Sequence, residues 1–398
     1  MSGTTTKPAK ILIVAEKYPP IVGGGETHIQ NLAEGLLGHG YDVTVLTGEP
    51  PSEMDLGRYR TADVRIKYVE GFSQACRSLD AKAATASLYN QILSEDADLI
   101  HVYNHVPAML LSWFRTDIRA KICLSLFETH VPGVRVFEMW RDQYRLERAL
   151  QASLLINLDP DLVLCGSQAY RRWAIAAGAK EDRLAVVPFA TEVARFLSGT
   201  SASREARNER QLKNEFLFLV PARLVPRKRV EDAVIALSML IKRFPKTRLV
   251  LARPYQATDT EYINFVDALI AKRGVADYII WERNRSWKEM PALYATANAI
   301  ILPSSHEGFG IALIEAMAAR RPVITTNVEG HDEVVTDTLT GYLYPDGDTE
   351  ALASKMALVM TIDQTTVVDR AFTFVQQFHD TATMVASHMK AYSEVLLR

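Results

Sequence analysis

The chain has 398 residues, 48% of them hydrophobic and 23% charged, with 45 Lys and Arg against 47 Asp and Glu. This length predicts roughly two or three domains, each able to bury a core. The composition is that of a soluble globular protein, and a net charge of −2 argues against nucleic acid as a bulk partner. Cys76, Cys123 and Cys165 are odd in number and far apart, which fits neither a disulfide framework nor a zinc spacing. Residues 1–10 lack the apolar stretch of a signal peptide. No run of about 18 apolar residues occurs, so no membrane span is expected and the cytoplasm is the expected compartment.

Lys10 to Ala15 reads as a buried strand. Tyr18-Pro19-Pro20-Ile21-Val22-Gly23-Gly24-Gly25 follows as a glycine-rich loop. The next segment is a helix with Ile29, Leu32, Ala33, Leu36 and Leu37 on one face, closed by Gly38-His39-Gly40. Strand Asp42 to Leu46 completes a β–loop–α–β unit, the start of an open parallel sheet. The loop is not G-x-G-x-x-G, so the dinucleotide fingerprint is not met. Gly23 and Gly24 still allow the backbone to approach a phosphate or sugar closely, although a flexible turn is the plainer reading. Further strands are expected at 64–69, 98–102, 121–127, 162–165 and 184–187, with helices between several of them.

The polar stretch 198–213 is the best linker in the chain. It separates a first Rossmann-like domain, residues 1–197, from a second, residues 214–379. The second set of strands is expected at 215–220, 247–251, 278–281, 298–302 and 322–325, and residues 380–398 read as a closing helix. Ligands of such α/β folds sit beyond the carboxyl ends of the strands, so two of these domains imply a cleft between them.

One stretch carries the chemistry. After the apolar run Asn298 to Pro303 comes Ser304-Ser305-His306-Glu307-Gly308-Phe309-Gly310, and then Ile311 to Ala319, which is helix-forming and apolar nearly all round. An apolar helix is a buried helix, and Glu315 is its one charge. A buried carboxylate must meet a cation, accept hydrogen bonds or give up its charge. Gly308 and Gly310 let a ligand approach, and the helix start behind them offers free N–H groups.

The string Glu307-Gly308-Phe309-Gly310, with Glu315 eight residues after Glu307, resembles the E-G-F-G-x-x-x-x-E signature of retaining glycosyltransferase family 4, which has the GT-B fold. Ala222-Arg223-Leu224-Val225-Pro226-Arg227-Lys228 resembles that family's G-R-L-x-x-x-K-G motif. Residues 290–297, Arg321-Pro322-Val323-Ile324-Thr325 and Gly330-His331-Asp332-Glu333 continue the match, which is dense from about 215 to 350 and sparser at 10–50 and 180–196. The resemblance implies two doubly wound Rossmann-like domains facing a central cleft. The first would hold the acceptor and take back the helix 380–398; the second would hold a nucleotide diphosphate-sugar.

By that pattern Arg223 and Lys228 bind the donor diphosphate. Two fixed cations stabilise the charge that grows on the leaving group without a metal. Glu315 holds the ribose hydroxyls and Glu307 the transferred sugar. The N–H groups of Phe309, Gly310 and Ile311 point at sugar and phosphates. Eight residues of helix span ~12 Å, so the two carboxylates serve different parts of one donor.

The departures are specific. Ala222 and Arg229 stand where the family has Gly on either side of the Arg–Lys motif, and Arg320 where members often have Gly. Arg253 is either a third cation near the nucleotide or a surface residue. Phe127 stands where a histidine is expected at a strand end of the first domain; His130 is the candidate substitute, and His101 is the next. The triplets Asp159-Pro160-Asp161 and Asp346-Gly347-Asp348 read as turns rather than metal sites, so no metal is assigned. Phe137, Trp140 and Tyr144, in an Arg-rich segment, are open to core packing, an acceptor pocket or a membrane surface. The implied activity is retaining sugar transfer to an acceptor hydroxyl. A nucleotide-sugar epimerase and a non-catalytic nucleotide-sugar binding module are the alternatives.

Overall fold

The computed structural model describes residues 8–21, 23–50, 63–73, 75, 81–125, 153–199, 212, 214–253, 260–283 and 287–398. The chain divides into two compact units, whose described residues fall within 8–125, 153–189 and 381–398 for the first and within 190–380 for the second.

In the first unit, strands β1 (Lys10–Ala15), β2 (Asp42–Thr47), β3 (Arg65–Tyr68), β4 (Leu99–Tyr103), β5 (Lys121–Ser125), β6 (Leu162–Cys165) and β7 (Leu184–Val186) form one sheet in the order β3-β2-β1-β4-β5-β6-β7. Every pairing is parallel, with Ile13 opposite Val45 on one side and His101 on the other. Apolar residues run unbroken through β1 because helices cover both faces of such a sheet. Helices α1 (Gly24–Gly38), α2 (Lys82–Glu95), α3 (His105–Ser112) and α4 (Gln168–Ala176) supply the crossovers. Helix α1 buries Ile29, Leu32, Ala33 and Leu36 as its periodicity predicts, and ends at His39 with Gly40 at φ +86°.

The C-terminal helix Thr381–Leu396 belongs to this unit and packs on α1, where Val385 fills the space a side chain at Gly35 would need. Its Tyr392 hydroxyl meets His101 Nδ1 at 2.5 Å, while His101 Nε2 meets Ser125 Oγ at 2.8 Å. His101 is fully buried, so both ring nitrogens serve the core and the residue is not at a ligand-facing strand end as the sequence reading had offered. His28 and His388 lie beside it, and burial holds all three imidazoles well below the usual histidine pKa.

The second unit opens with α5 (Val193–Ser198), which packs on helices further along the chain in the same unit. Strands β8 (Phe216–Val220), β9 (Thr247–Arg253), β10 (Ile279–Arg283), β11 (Ala299–Leu302), β12 (Val323–Thr326) and β13 (Tyr342–Tyr344) form an all-parallel sheet in the order β10-β9-β8-β11-β12-β13. Between them lie α6 (Val230–Leu240), α7 (Thr260–Arg273), α8 (Met290–Thr296) and α9 (Ile311–Ala318), followed by α10 (Thr349–Thr361) and α11 (Thr365–Phe378). One core, including Phe218, Val234, Leu237, Leu249, Ile301, Ile324, Tyr344 and Met356, fills the space between sheet and helices. Strand β13 is absent from the sequence reading. It has three residues and pairs on one side only, and so short an edge strand leaves little periodicity to read.

In each sheet the strand order reverses once, between β1 and β4 and between β8 and β11. Loops leaving the carboxyl ends of the two strands at a reversal diverge to opposite faces and leave a crevice there. In the second unit those loops are 221–229 and 303–310.

No helix among the described residues is long and apolar enough to cross a membrane. His130 and Phe127, the segment holding Phe137, Trp140 and Tyr144, Cys76 and most of the expected linker lie outside the described residues.

Candidate functional site

The two reversal-point loops of the second unit are stitched together. Ser305 N–H donates to the Arg227 carbonyl at 2.9 Å, and the Ser305 hydroxyl donates to the same oxygen at 3.3 Å. Residues 226–228 form a tight 3₁₀ turn begun by Pro226, which sets Arg227 and Lys228 facing the second loop. Lys228 Nζ pairs with Glu307 Oε1, Arg227 Nη1 reaches the same oxygen at 3.0 Å, and Ser304 donates to it at 3.2 Å. The side chains of Lys228 and Glu307 are only 15% and 12% exposed.

Burial by itself raises the Glu307 carboxyl, but Lys228 and then Arg227 overcome it and hold the group well below the usual carboxylate range. Lys228 moves the other way: desolvation lowers it to about 8, against the pull of Glu307 and with Arg227 and Arg223 adding repulsion. The cluster is therefore a desolvated carboxylate under two cations, and an incoming polyanion would find both cations in place.

Arg229, at the family's second glycine, has φ +45° and ψ +43°. A left-handed position favours glycine, because a Cβ there crowds the following carbonyl. This chain keeps the backbone and adds a side chain: Arg229 makes a two-pronged contact with Asp232, at 2.8 and 3.0 Å, and lies 3.7 Å from Asp346. Arg320 repeats the pattern, with φ +56°, an ion pair to Asp369 and its guanidinium over the Phe372 ring. At both positions the glycine is lost and the backbone conformation it favours is kept.

Gly310 caps α9 in the left-handed region at φ +92°. A Cβ there would lie 3.0 Å from His331 Cδ2 and 3.2 Å from its Nε2. Gly330 is held as tightly, since a Cβ on it would meet the Glu307 carbonyl at 2.5 Å. The loop of Glu307 to Gly310 thus lies directly on residues 330–331. The first N–H groups of α9, those of Ile311 and Ala312, have no acceptor within the helix.

One turn further on, Glu315 accepts a hydrogen bond from the Tyr294 hydroxyl at 2.7 Å. Burial raises its carboxyl to about 7, with Tyr294 and the Arg195 charge opposing that rise. Sequence reasoning required Glu315 to meet a cation or a hydroxyl, and the structure supplies both, from α5 and α8. Arg223 is exposed at the edge of the same loop.

Gly23 precedes α1 in the first unit in extended backbone, at φ −165°, and Gly24 opens the helix. The structure thus brings Arg223, Lys228, Glu307, Gly308, Phe309, Gly310, Ile311 and Glu315 into two adjacent loops and one helix of the second unit, and places Gly23 and Gly24 at a reversal point of the first. Phe309 itself is buried against His379.

The acidic triplets are engaged locally. Asp159 pairs with Lys180 and Arg183 at 2.9 Å each, and Asp161 lies 3.5 Å from Arg115 and 3.4 Å from Lys121. Asp348 caps α10 by accepting from Ala351 N–H. Among the described residues no group of three or more His, Cys, Asp or Glu is placed to hold a metal ion.

Sequence reasoning gave no role to Arg227, a second cation on Glu307, or to Tyr294 and Arg195, which act on Glu315. His331 was read only as part of a motif. It is fully buried, with Nδ1 2.8 Å from Thr325 Oγ1 and 3.3 Å from Thr326 Oγ1, and with no hydrogen-bond partner at Nε2 among the described residues. Nothing in a sequence separates such a histidine from a surface one.

Two family models match: one described as Glycosyltransferase Family 4, over residues 22–195, and one described as Glycosyl transferases group 1, over residues 202–367. A glycogen synthase of Mycobacterium tuberculosis is 26% identical, over 88% of this chain and 86% of that protein. A GDP-mannose-dependent alpha-(1-6)-phosphatidylinositol monomannoside mannosyltransferase of Mycolicibacterium smegmatis is 23% identical, over 86% of this chain and 87% of its own. Among solved structures, HepE of Anabaena in complex with UDP-glucose superposes with a TM-score of 0.81 at 18% identity, covering 97% of this chain and 99% of that one, a likeness of fold. The two models between them take in all of the second sheet with both of its reversal-point loops and all of the first sheet but β1, and with the glycosyltransferases among the relatives they carry the assignment: the chain belongs to glycosyltransferase family 4.

Proposed function

We propose that this protein is a retaining glycosyltransferase that moves a sugar from a nucleotide diphosphate-sugar to an acceptor hydroxyl, with the donor held by the second unit and the acceptor by the first. The observation that carries the reading is the cluster of Lys228 and Arg227 on Glu307, set beside the Gly308–Gly310 loop and the start of α9. Family membership and the nucleotide-sugar ligands of the relatives support it.

In this reading the diphosphate takes Lys228, Arg223 and Arg227. As the bond to the sugar breaks, negative charge grows on the leaving oxygen, and cations already fixed in a dry site stabilise it without reorganising. That role is the one a metal fills elsewhere, so the transfer is proposed to be metal-independent. Glu307, released from Lys228 by the phosphate, turns to the sugar hydroxyls and faces the positive charge that develops on the ring. Glu315 accepts the two ribose hydroxyls, which do not change during the reaction. The acceptor oxygen approaches the face from which the diphosphate leaves, and the departing oxygen takes its proton. The acceptor is a hydroxyl on a sugar, cyclitol, natural product or lipid-linked molecule, and the proposed compartment is the cytoplasm. His130 remains the proposed first-domain histidine.

A thermal-shift panel of UDP, GDP and their sugar derivatives tests the reading. A true donor at about 100 times its dissociation constant stabilises by about 2.7 kcal/mol. A panel with no stabilising nucleotide would contradict it.

A further inference from the structure

We propose that His331 is a specificity-determining residue of the donor site, its Nε2 accepting a hydrogen bond from a hydroxyl of the transferred sugar. The proposal rests on the donor-site reading above and goes beyond it to a residue that neither the sequence motifs nor the charge cluster assigns.

The Thr325 hydroxyl gives its hydrogen to the Leu302 carbonyl at 2.8 Å, and Thr326 gives its own to the Ser304 carbonyl at 2.5 Å. A hydroxyl has one hydrogen. Towards His331 both threonines can only accept, so Nδ1 carries the proton of the neutral ring and Nε2 presents a bare lone pair. Burial keeps the ring neutral, lowering its pKa to about 4 despite the attraction of Glu307.

Among the described residues that lone pair has no partner, and the ring is fully buried. A buried acceptor left unmade is costly, and such a group calls for an explanation. Its surroundings supply one. Nε2 faces Gly310, where a Cβ would lie 3.2 Å from it and glycine supplies none, and Glu307 is near enough for its charge to act on the ring.

The chemistry selects the ligand. A phosphate has only acceptor oxygens at neutral pH and would meet Nε2 lone pair to lone pair. A sugar hydroxyl brings the hydrogen that Nε2 lacks. Thr325 and Thr326 act through the ring, as positioning residues that fix its tautomer.

The test is titration calorimetry of the wild type and His331→Leu with UDP and GDP, with a panel of UDP- and GDP-linked hexoses, and with the monodeoxy analogues of whichever hexose binds. In the wild type one deoxy position is expected to weaken binding about tenfold. In His331→Leu that penalty falls below about twofold, while binding of the bare nucleoside diphosphate is unchanged. A second measurement uses only the wild type: the nitrogen-15 resonance of His331 Nε2 moves on adding the sugar nucleotide and stays in place on adding the bare diphosphate. A variant that keeps every deoxy penalty, or an Nε2 resonance that ignores the sugar, overturns this proposal and leaves the donor-site reading standing. A wild type that binds no nucleotide in the panel overturns both.

Discussion

Replacing Glu307 by glutamine is expected to weaken the empty protein and to strengthen its grip on a bare nucleoside diphosphate. Glu307 pairs with both Lys228 and Arg227, and the Lys228 and Glu307 side chains are 15% and 12% exposed. Removing one partner of a fully buried pair costs about 3–5 kcal/mol, and an exposed pair is worth at most about 1. Partial exposure and the retained Ser304 contact put Glu307→Gln between these, at about 2 kcal/mol of lost stability. The uncompensated Lys228, already lowered to about 8, loses its attractive partner and drops further. A diphosphate then enters without displacing a carboxylate from its cations. A contact to a charged group is worth about 1.5–3 kcal/mol, so UDP or GDP should bind about tenfold or more tightly to Glu307→Gln than to the wild type. Urea melts measure the first effect and titration calorimetry the second. Unchanged or weaker nucleoside diphosphate binding by the variant would refute the idea that Glu307 holds the cations in readiness for phosphate. Turnover of the full donor should nevertheless fall, because the carboxylate no longer meets the developing ring charge.

Glu315→Gln should raise the Michaelis constant for donor about tenfold to a hundredfold with a small change in kcat, since the ribose contact is the same in ground and transition states. Because burial raises the Glu315 carboxyl to about 7 and the ionised form accepts the hydroxyls, wild-type donor affinity should rise from pH 6 to 7, below the range in which Lys228 loses its charge, and kinetics should show that rise absent from the variant. The buried neutral histidines make stability, too, fall on acidification. His388, lowered to about 4, binds its proton mainly in the unfolded chain, so stability is complete above pH 6.5 and lost as pH falls towards 4. Urea melts at pH 7 and pH 4.5 should therefore show His388→Gln losing less stability than the wild type on acidification. Arg320→Gly should lie within about 1 kcal/mol of wild-type stability, since relief of the left-handed backbone offsets a mostly exposed ion pair, whereas Arg320→Val should lose at least about 1 kcal/mol; thermal melts of the two variants decide it.

Much of this was legible in the sequence because it is local. Apolar runs give buried parallel strands, and the read strands match the observed ones to within a residue or two over most of both sheets. Residues 311–318 form the helix that their nearly all-round apolar character predicts, with Gly310 as its left-handed cap. The glycine departures at Arg229 and Arg320 were visible as departures, yet a sequence does not show that both positions keep a positive φ. What escaped depends on distance along the chain. Tyr294 and Arg195 meet Glu315 from helices 21 and 120 residues away, counted from the numbering, and Arg227 finds Glu307 only because two loops leave adjacent strands at the sheet reversal. His101 looked like a site residue because strand ends often are. The C-terminal helix delivers Tyr392 to its ring, and a sequence gives no sign of that partner.

The most direct measurement follows the anomeric signals of UDP-glucose and GDP-mannose by proton NMR as the protein consumes a donor in excess EDTA, with water as acceptor where no other is supplied. The account predicts release of the nucleoside diphosphate and a first-formed sugar signal with the donor's own anomeric configuration, both strongly reduced in Lys228→Ala. An inverted first product, or release that appears only when Mg²⁺ or Mn²⁺ is restored, would contradict it.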